Sequence, residues 1–192
     1  MFYLGIDPGK SGGLALLDAA GDVVWCTKMP ATEADLLTLL GVTGRQRFVA
    51  HAMVEHVHAS PQMGVVSAFT FGKGYGALLM ALTAAQIPFD EVSPRKWQGA
   101  LQCLTKGDKN VSKRRAQQLF PGLTITHATA DALLIAEFCR RFHNARPIER
   151  MDQHGSQDRK EEDREEGGTE ETCSKGRWAG KDARAQRQRR RS

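Results

Sequence analysis

Three acidic side chains stand in stretches that otherwise belong inside a protein. Asp7 closes an apolar run that starts at Phe2 and leads into the Gly-rich turn Pro8 to Gly13; Glu55 follows Met53 and Val54; Asp131 precedes Ala132-Leu-Leu-Ile-Ala136. An unpaired carboxylate in an apolar interior is costly. Brought together, three of them repel one another unless divalent cations sit between them, and an all-oxygen donor set suits magnesium, which binds through a few carboxylates plus water and phosphate. Each acid alone reads as an ordinary strand-end or helix-surface residue. The conjunction of the three points to a metal centre.

The elements that must position these acids are marked by turn and cap residues. Residues 2 to 7, 12 to 18 and 22 to 28 are short apolar runs separated by Pro8-Gly9 to Gly12 and by Ala20-Gly21-Asp22, which predicts a three-stranded meander. Residues 33 to 40 open with acids, continue apolar and predict a short helix that Gly41 stops. A strand is predicted from about 48 to 57, carrying Glu55. Ser60-Pro61 then opens a helix to about residue 85, serine as N-cap and proline in the first turn. Residues 89 to 92 are strand-like, and Ser93-Pro94 repeats the cap-and-proline opening for a segment around Trp97. The basic run Lys106 to Arg115 leads into a helical stretch ended by Pro121-Gly122. The last predicted helix, residues 128 to 142, places Asp131, Leu134, Ile135 and Phe138 at helical spacing.

At 192 residues and 41% hydrophobic, the chain can bury one ordinary core. The domain is expected to span residues 1–146. Residues 147–192 hold few aliphatic side chains and many charges, acids from Asp158 to Glu171 and basics from Lys175 to Arg191, and are expected to be disordered. A net charge of +5 and an isoelectric point near 9.2 favour a polyanionic partner such as nucleic acid. The four cysteines lack CxxC spacing and read as incidental reduced thiols. Neither a signal-peptide pattern nor a run of ~20 apolar residues stands out, so a cytoplasmic setting without a membrane partner is expected. Gly72-Lys-Gly-Tyr-Gly76 lacks the phosphate-loop pattern, and its glycines fit close packing against a neighbouring helix or subunit.

Gly5-Ile-Asp-Pro-Gly-x-x-Gly12, Val54-Glu55-x-Val57, Phe71-Gly72-x-x-Tyr75-Gly76 and Asp131-Ala-Leu-Leu-Ile-Ala136, in that order, resemble the RuvC family of Holliday-junction resolvases. Ser93-Pro-x-x-Trp97-Gln98 and Leu119-Phe-Pro121 resemble its phage-type branch. The resemblance covers roughly residues 1 to 143. It implies an α/β, RNase H-like fold with a mixed five-stranded sheet flanked by helices, and an endonuclease that cuts branched DNA by two-metal-ion hydrolysis. Two Mg2+ ions, or Mn2+ in their place, would be held by Asp7, Glu55 and Asp131. A bacterial cell or a phage-infected host would be the setting, in recombination, repair or phage DNA processing, and a homodimer would match the two-fold symmetry of a four-way junction.

The family has a fourth ligand three residues before the helix aspartate, where this chain has Ala128. His127, four residues before Asp131 and so on the same helical face, is the candidate replacement, with Thr126 and Thr129 as weaker ones. Lys106, Lys109, Lys113, Arg114 and Arg115 would contact the DNA backbone, Lys113 falling near a lysine the family uses close to its active site. His58 stands where many members place an aromatic wedge, and an imidazole stacks on a base more weakly than a phenyl ring. Two other readings stay open: a branched-DNA-binding protein without catalysis, and an actin-like ATPase-type nucleotide-binding protein, which would need a second lobe.

Overall fold

The computed structural model describes residues 1–46, 48–58, 62–105 and 108–144. The expected charged tail of residues 147–192, the Ser60-Pro61 cap and Lys106 lie outside the described residues, as does the side chain of Lys109. Strands β1 (Phe2–Asp7), β2 (Gly13–Asp18) and β3 (Val23–Lys28) form the expected antiparallel meander. Its two turns use Gly9 at φ 110° and Gly21 at φ 102°, where glycine avoids the strain of a side chain. Helix α1 (Glu33–Gln46) leads to β4 (Val49–Glu55), which returns parallel to β1. Helix α2 (Val65–Ala84) leads to β5 (Phe89–Val92), parallel to β4. The result is a mixed five-stranded sheet in the order β3-β2-β1-β4-β5. Three helices follow: α3 (Pro94–Ala100), α4 (Lys109–Leu119) and α5 (His127–Asn144).

Strand alternation divides the core between the two faces of this sheet. Tyr3, Ala15, Leu17, Met53 and Val92 point to one face and pack with Trp97, Ala116 and the buried side of α5. Leu4, Ile6, Leu14, Leu16, Ala52 and Val54 point to the other, against Leu36 and Leu40 of α1 and Leu78 and Leu82 of α2. Each fully buried Leu or Ile contributes about 1.5–3 kcal/mol relative to exposure. Helix α5 lies directly on the sheet. A Cβ at Gly5 would collide with the Ala132 carbonyl oxygen and the Ala136 amide nitrogen, and one at Gly13 would come within 2.5 Å of the Ala128 carbonyl oxygen. Backbone therefore rests on backbone where α5 crosses β1 and β2.

The structure departs from the sequence reading in several places. Gly41 does not stop α1, which runs on to Gln46. Gly44 is needed inside that helix, because a Cβ there would lie 2.7 Å from the Ala85 carbonyl oxygen at the end of α2. Helix α2 is assigned from Val65, with Gly64 at the cap position and no side-chain cap bond. The fourth strand stops at Glu55, not at residue 57, which makes Glu55 a strand-end acid like Asp7. Asp108, the one acid in the basic run from Lys106 to Arg115, is the N-cap of α4, its carboxylate accepting from the Asn110 amide at 2.9 Å. Finally, α2 is long and apolar enough to cross a membrane by length and composition, contrary to expectation. Its Leu78, Ala81 and Leu82 are nonetheless buried against this chain's own core, and Lys73 reaches Glu33 of α1 at 4.0 Å.

Candidate active site

Asp7 and Glu55 end two neighbouring parallel strands, each one residue beyond the Ile6–Val54 pair. Asp7 shares the parity of Tyr3 and Gly5, and Glu55 that of Met53, so both carboxylates rise on the face that α5 covers. Opposite Asp7 in the β1–β2 register is Gly13, and above Gly13 lies Ala128, in the first turn of α5. One turn further along α5 comes Asp131, half-buried, with its Oδ1 shielded from solvent. Gly12 closes the other side of Asp7: a Cβ there would collide with the Asp7 carbonyl oxygen and sit 3.1 Å from its carboxyl carbon.

Glu55 records the electrostatics of this arrangement. Burial pushes its carboxyl above the ordinary carboxylate range; the Trp97 indole N–H, donating to Oε1 at 3.0 Å, pulls the other way, and the nearby negative charge of Asp131 pushes it up again. The thiol of Cys103 is likewise pushed up to about 11, by burial first and by Asp131 second, with Arg115 opposing. Cys103 thus lies within electrostatic range of Asp131. The Arg115 charge felt there ties the basic helix α4 to the same corner of the fold.

The donor set is all oxygen, and the Asp131 charge adds to the cost of charging Glu55, which is the condition a hard divalent cation relieves. The three carboxylates do not converge on a single point: among the described residues they form no group with all ligand atoms within 4.8 Å.

The remaining site candidates fall as follows. His127 is the first residue of α5 and is exposed, so the helix does reach back far enough to share a face with Asp131. Thr126 and Thr129 are taken up by the helix start: their hydroxyl oxygens lie 3.1 Å apart, and the Thr126 amide donates to Thr129 Oγ1 at 3.2 Å. In the basic group, Lys113 is half-buried on α4 and Arg114 is exposed, with a distant 3.9 Å ion pair to Asp108. Arg115 is engaged internally, donating through Nε to the Leu101 carbonyl at 2.9 Å and through a terminal nitrogen to Gln118 at 3.2 Å. His58 is exposed, its ring 6.4 Å from that of His56.

Two supports of the site escaped the sequence reading. Trp97 was seen only as a motif residue, yet a fully buried indole must find an acceptor for its N–H, and here that acceptor is Glu55. On the other side, the Phe71 ring lies against the turn at Gly9, and the Tyr75 hydroxyl donates to Glu91 Oε1 at 2.8 Å. Burial and this bond to Glu91 hold the Tyr75 phenol above its ordinary range, so it stays a donor. Helix α2 thus touches the turn after Asp7 and the strand beside Glu55.

No protein-family model matches the chain, and no curated protein matches it by sequence. Solved structures do match. Thermus thermophilus RuvC superimposes with a TM-score of 0.56 at 22% identity, covering 74% of this chain and 97% of that one. The T. thermophilus RuvC in complex with a Holliday junction substrate gives 0.57 at 20% identity, covering 74% and 96%. The fold is RuvC-like and RNase H-like, as the motif order implied.

Proposed function

We propose that the chain is a structure-specific endodeoxyribonuclease that cuts Holliday junctions or related branched DNA. The observation that carries this reading is the placement of Asp7 and Glu55 at the ends of adjacent parallel strands, with Asp131 within electrostatic reach of Glu55, in a RuvC-like fold. Asp7, Glu55 and Asp131 would hold two Mg2+ ions, with His127 at the open rim as the fourth ligand in place of the one missing at Ala128. When bound, such ions supply an activated water and neutralise charge on the departing oxygen, giving 5′-phosphate and 3′-hydroxyl ends.

The chain's own residues do the positioning. Trp97 fixes the Glu55 carboxylate, Gly12 and Gly13 leave room for the Asp7 carboxylate and the first turn of α5, and the crossing at Gly5 sets the height of Asp131. Lys113 and Arg114 on α4 would contact the DNA backbone, and the sequence adds Lys106 and Lys109 to the same basic run; Arg115 contributes charge while bracing Leu101. His58 lies beyond Glu55, where a base exposed at the junction centre could stack.

A homodimer is the assembled form in this reading. Val65, Val66, Phe69 and Met80 of α2 are 64–85% exposed, and a Cβ at Gly72, Gly74 or Gly76 would meet nothing within 4 Å. An apolar helix face this open is completed by a second copy, whose two-fold axis matches that of a four-way junction. The nuclease domain ends near residue 146, and the charged tail adds a basic end for backbone contact. A bacterial or phage-infected cytoplasm is the setting.

One observation favours the non-cleaving alternative, namely Ala128 where a fourth ligand, Asp or His, would stand. The two-lobed ATPase reading gains no support, since the described residues form a single sheet of this kind. The deciding experiment incubates the purified protein with a synthetic four-way junction over Mg2+ and Mn2+ titrations. Paired nicks are expected, lost in Asp7→Asn while junction binding persists. Binding without cleavage at any metal concentration would sink the catalytic reading and leave the binding one.

A further inference from the structure

At the opposite end of the same sheet face, three ligating side chains from three elements come together. His51 lies on β4, Asp90 on β5 and His143 in the last turn of α5, and one ligand atom from each lies within 4.8 Å of the others. His51 Nε2 is 3.1 Å from Asp90 Oδ2. The His51 and His143 rings are 4.1 Å apart between centroids, tilted by 39°. The surroundings hold these groups in place. The Cys139 thiol donates to the His51 carbonyl at 3.6 Å, Phe142 meets His143 edge-on at 5.7 Å, and Tyr3 stacks near His143 while its hydroxyl donates to the neighbouring Asn144 at 2.9 Å.

We propose that His51, Asp90 and His143 form a second metal site, separate from the carboxylate centre, that takes a borderline divalent ion such as zinc. Two imidazoles and one carboxylate are a donor set suited to zinc and poorly suited to magnesium, so the two ends of the face select different ions by chemistry. Burial is graded in the way a built site requires. The His51 side chain is 14% exposed and supported from beneath, whereas Asp90 is 59% exposed and can swing inward to complete the shell, leaving an outer position for water. Ion binding would replace the His51 Nε2–Asp90 contact, the ion taking the place of the proton shared between them. Cys139 stays outside the shell, since burial holds its thiol protonated and it is engaged with the His51 carbonyl. Such an ion would join the end of α5 to β4 and β5. The competing account is a hydrogen-bonded His51–Asp90 pair with His143 stacked on it and no affinity for metal.

The test uses the full chain, stripped with chelator and re-equilibrated with zinc in the presence of excess Mg2+, with bound zinc measured by elemental analysis and unfolding followed with and without zinc. The wild type is expected to retain about one more zinc per chain than His143→Gln, and to gain on the order of 5 °C in unfolding temperature that His143→Gln does not. Asp7→Asn should behave as the wild type, which separates this site from the carboxylate centre and makes the result independent of whether the chain cuts DNA. Should His143→Gln fail to fold, Asp90→Asn at the exposed position carries the comparison. Equal zinc content and equal shifts in wild type and variant, or loss of both in Asp7→Asn, would overturn the proposal.

Discussion

Helices α5 and α2 lie on opposite faces of one sheet and are of similar length, yet they are used in opposite ways. Ten residues of α5 are buried, in a nearly continuous run from Thr129 to Cys139, whereas α2 buries only Leu78, Ala81 and Leu82. The first is held all round by its own chain and carries Asp131 at the edge of that packing. The second is docked by its C-terminal half and offers an apolar N-terminal half to solvent. Substitutions in α5 or beneath it should therefore act on folding, and those on the outer side of α2 on association.

The sharpest way to break that contrast is beneath α5. Gly5→Val would drive a side chain into the Ala132 carbonyl and the Ala136 amide, and a loss of more than about 4 kcal/mol is expected, read as failure to purify a folded chain or as a collapse of the denaturant midpoint. A folded, stable Gly5→Val protein would show that α5 is not seated as described.

A smaller effect is expected at Glu137, a buried acid on α5. Burial alone would raise its carboxyl, but the guanidinium groups of Arg140, at 2.8 Å, and Arg141, at 2.6 Å, outweigh that and hold it below its ordinary value. An acid depressed in the folded state adds stability that is present above its unfolded value near 4.3 and is lost as pH falls through the folded one. Glu137→Gln should cost on the order of 2 kcal/mol at neutral pH and flatten the acid limb of the stability profile. An unchanged acid limb would mean that the pair contributes nothing to the seating of α5.

The smallest effect on stability is expected on α2, where Phe69→Lys touches nothing buried in its own chain. Unfolding free energy of the monomer should move by no more than about 0.5 kcal/mol, while sedimentation of the proposed homodimer shifts towards monomer. A large drop in monomer stability with no change in assembly would erase the distinction between the two helices.

Much of this was readable from residue types, because the signals were local. Turn glycines and short apolar runs mark the meander, whereas the shared face of Asp7 and Glu55 follows only once the parallel pairing of β1 with β4 is known. What was missed depended on contacts far apart in the chain. Gly41 looked like a helix stop because glycine weakens helices on average, but α1 continues to pack on α2, and Gly44 is required there by the Ala85 carbonyl. Trp97 and Glu55 are 42 residues apart, and His51 and Asp90 are 39 apart, so no spacing rule connects them. Ala128 was read as a missing ligand, and in the fold it is also the residue whose carbonyl presses on Gly13, next to Asp7.

That pressing contact has a mechanical consequence. Most helix–sheet layers are separated by interlocked side chains, so their spacing drifts as core residues are exchanged for larger or smaller ones. At Gly5 and Gly13 nothing compressible stands between α5 and the strands. The separation of Asp7 on β1 from Asp131 on α5 is then a hard stop, insensitive to gradual change elsewhere in the core. Exchanges elsewhere in the interior would then alter stability before they alter the distance between Asp7 and Asp131.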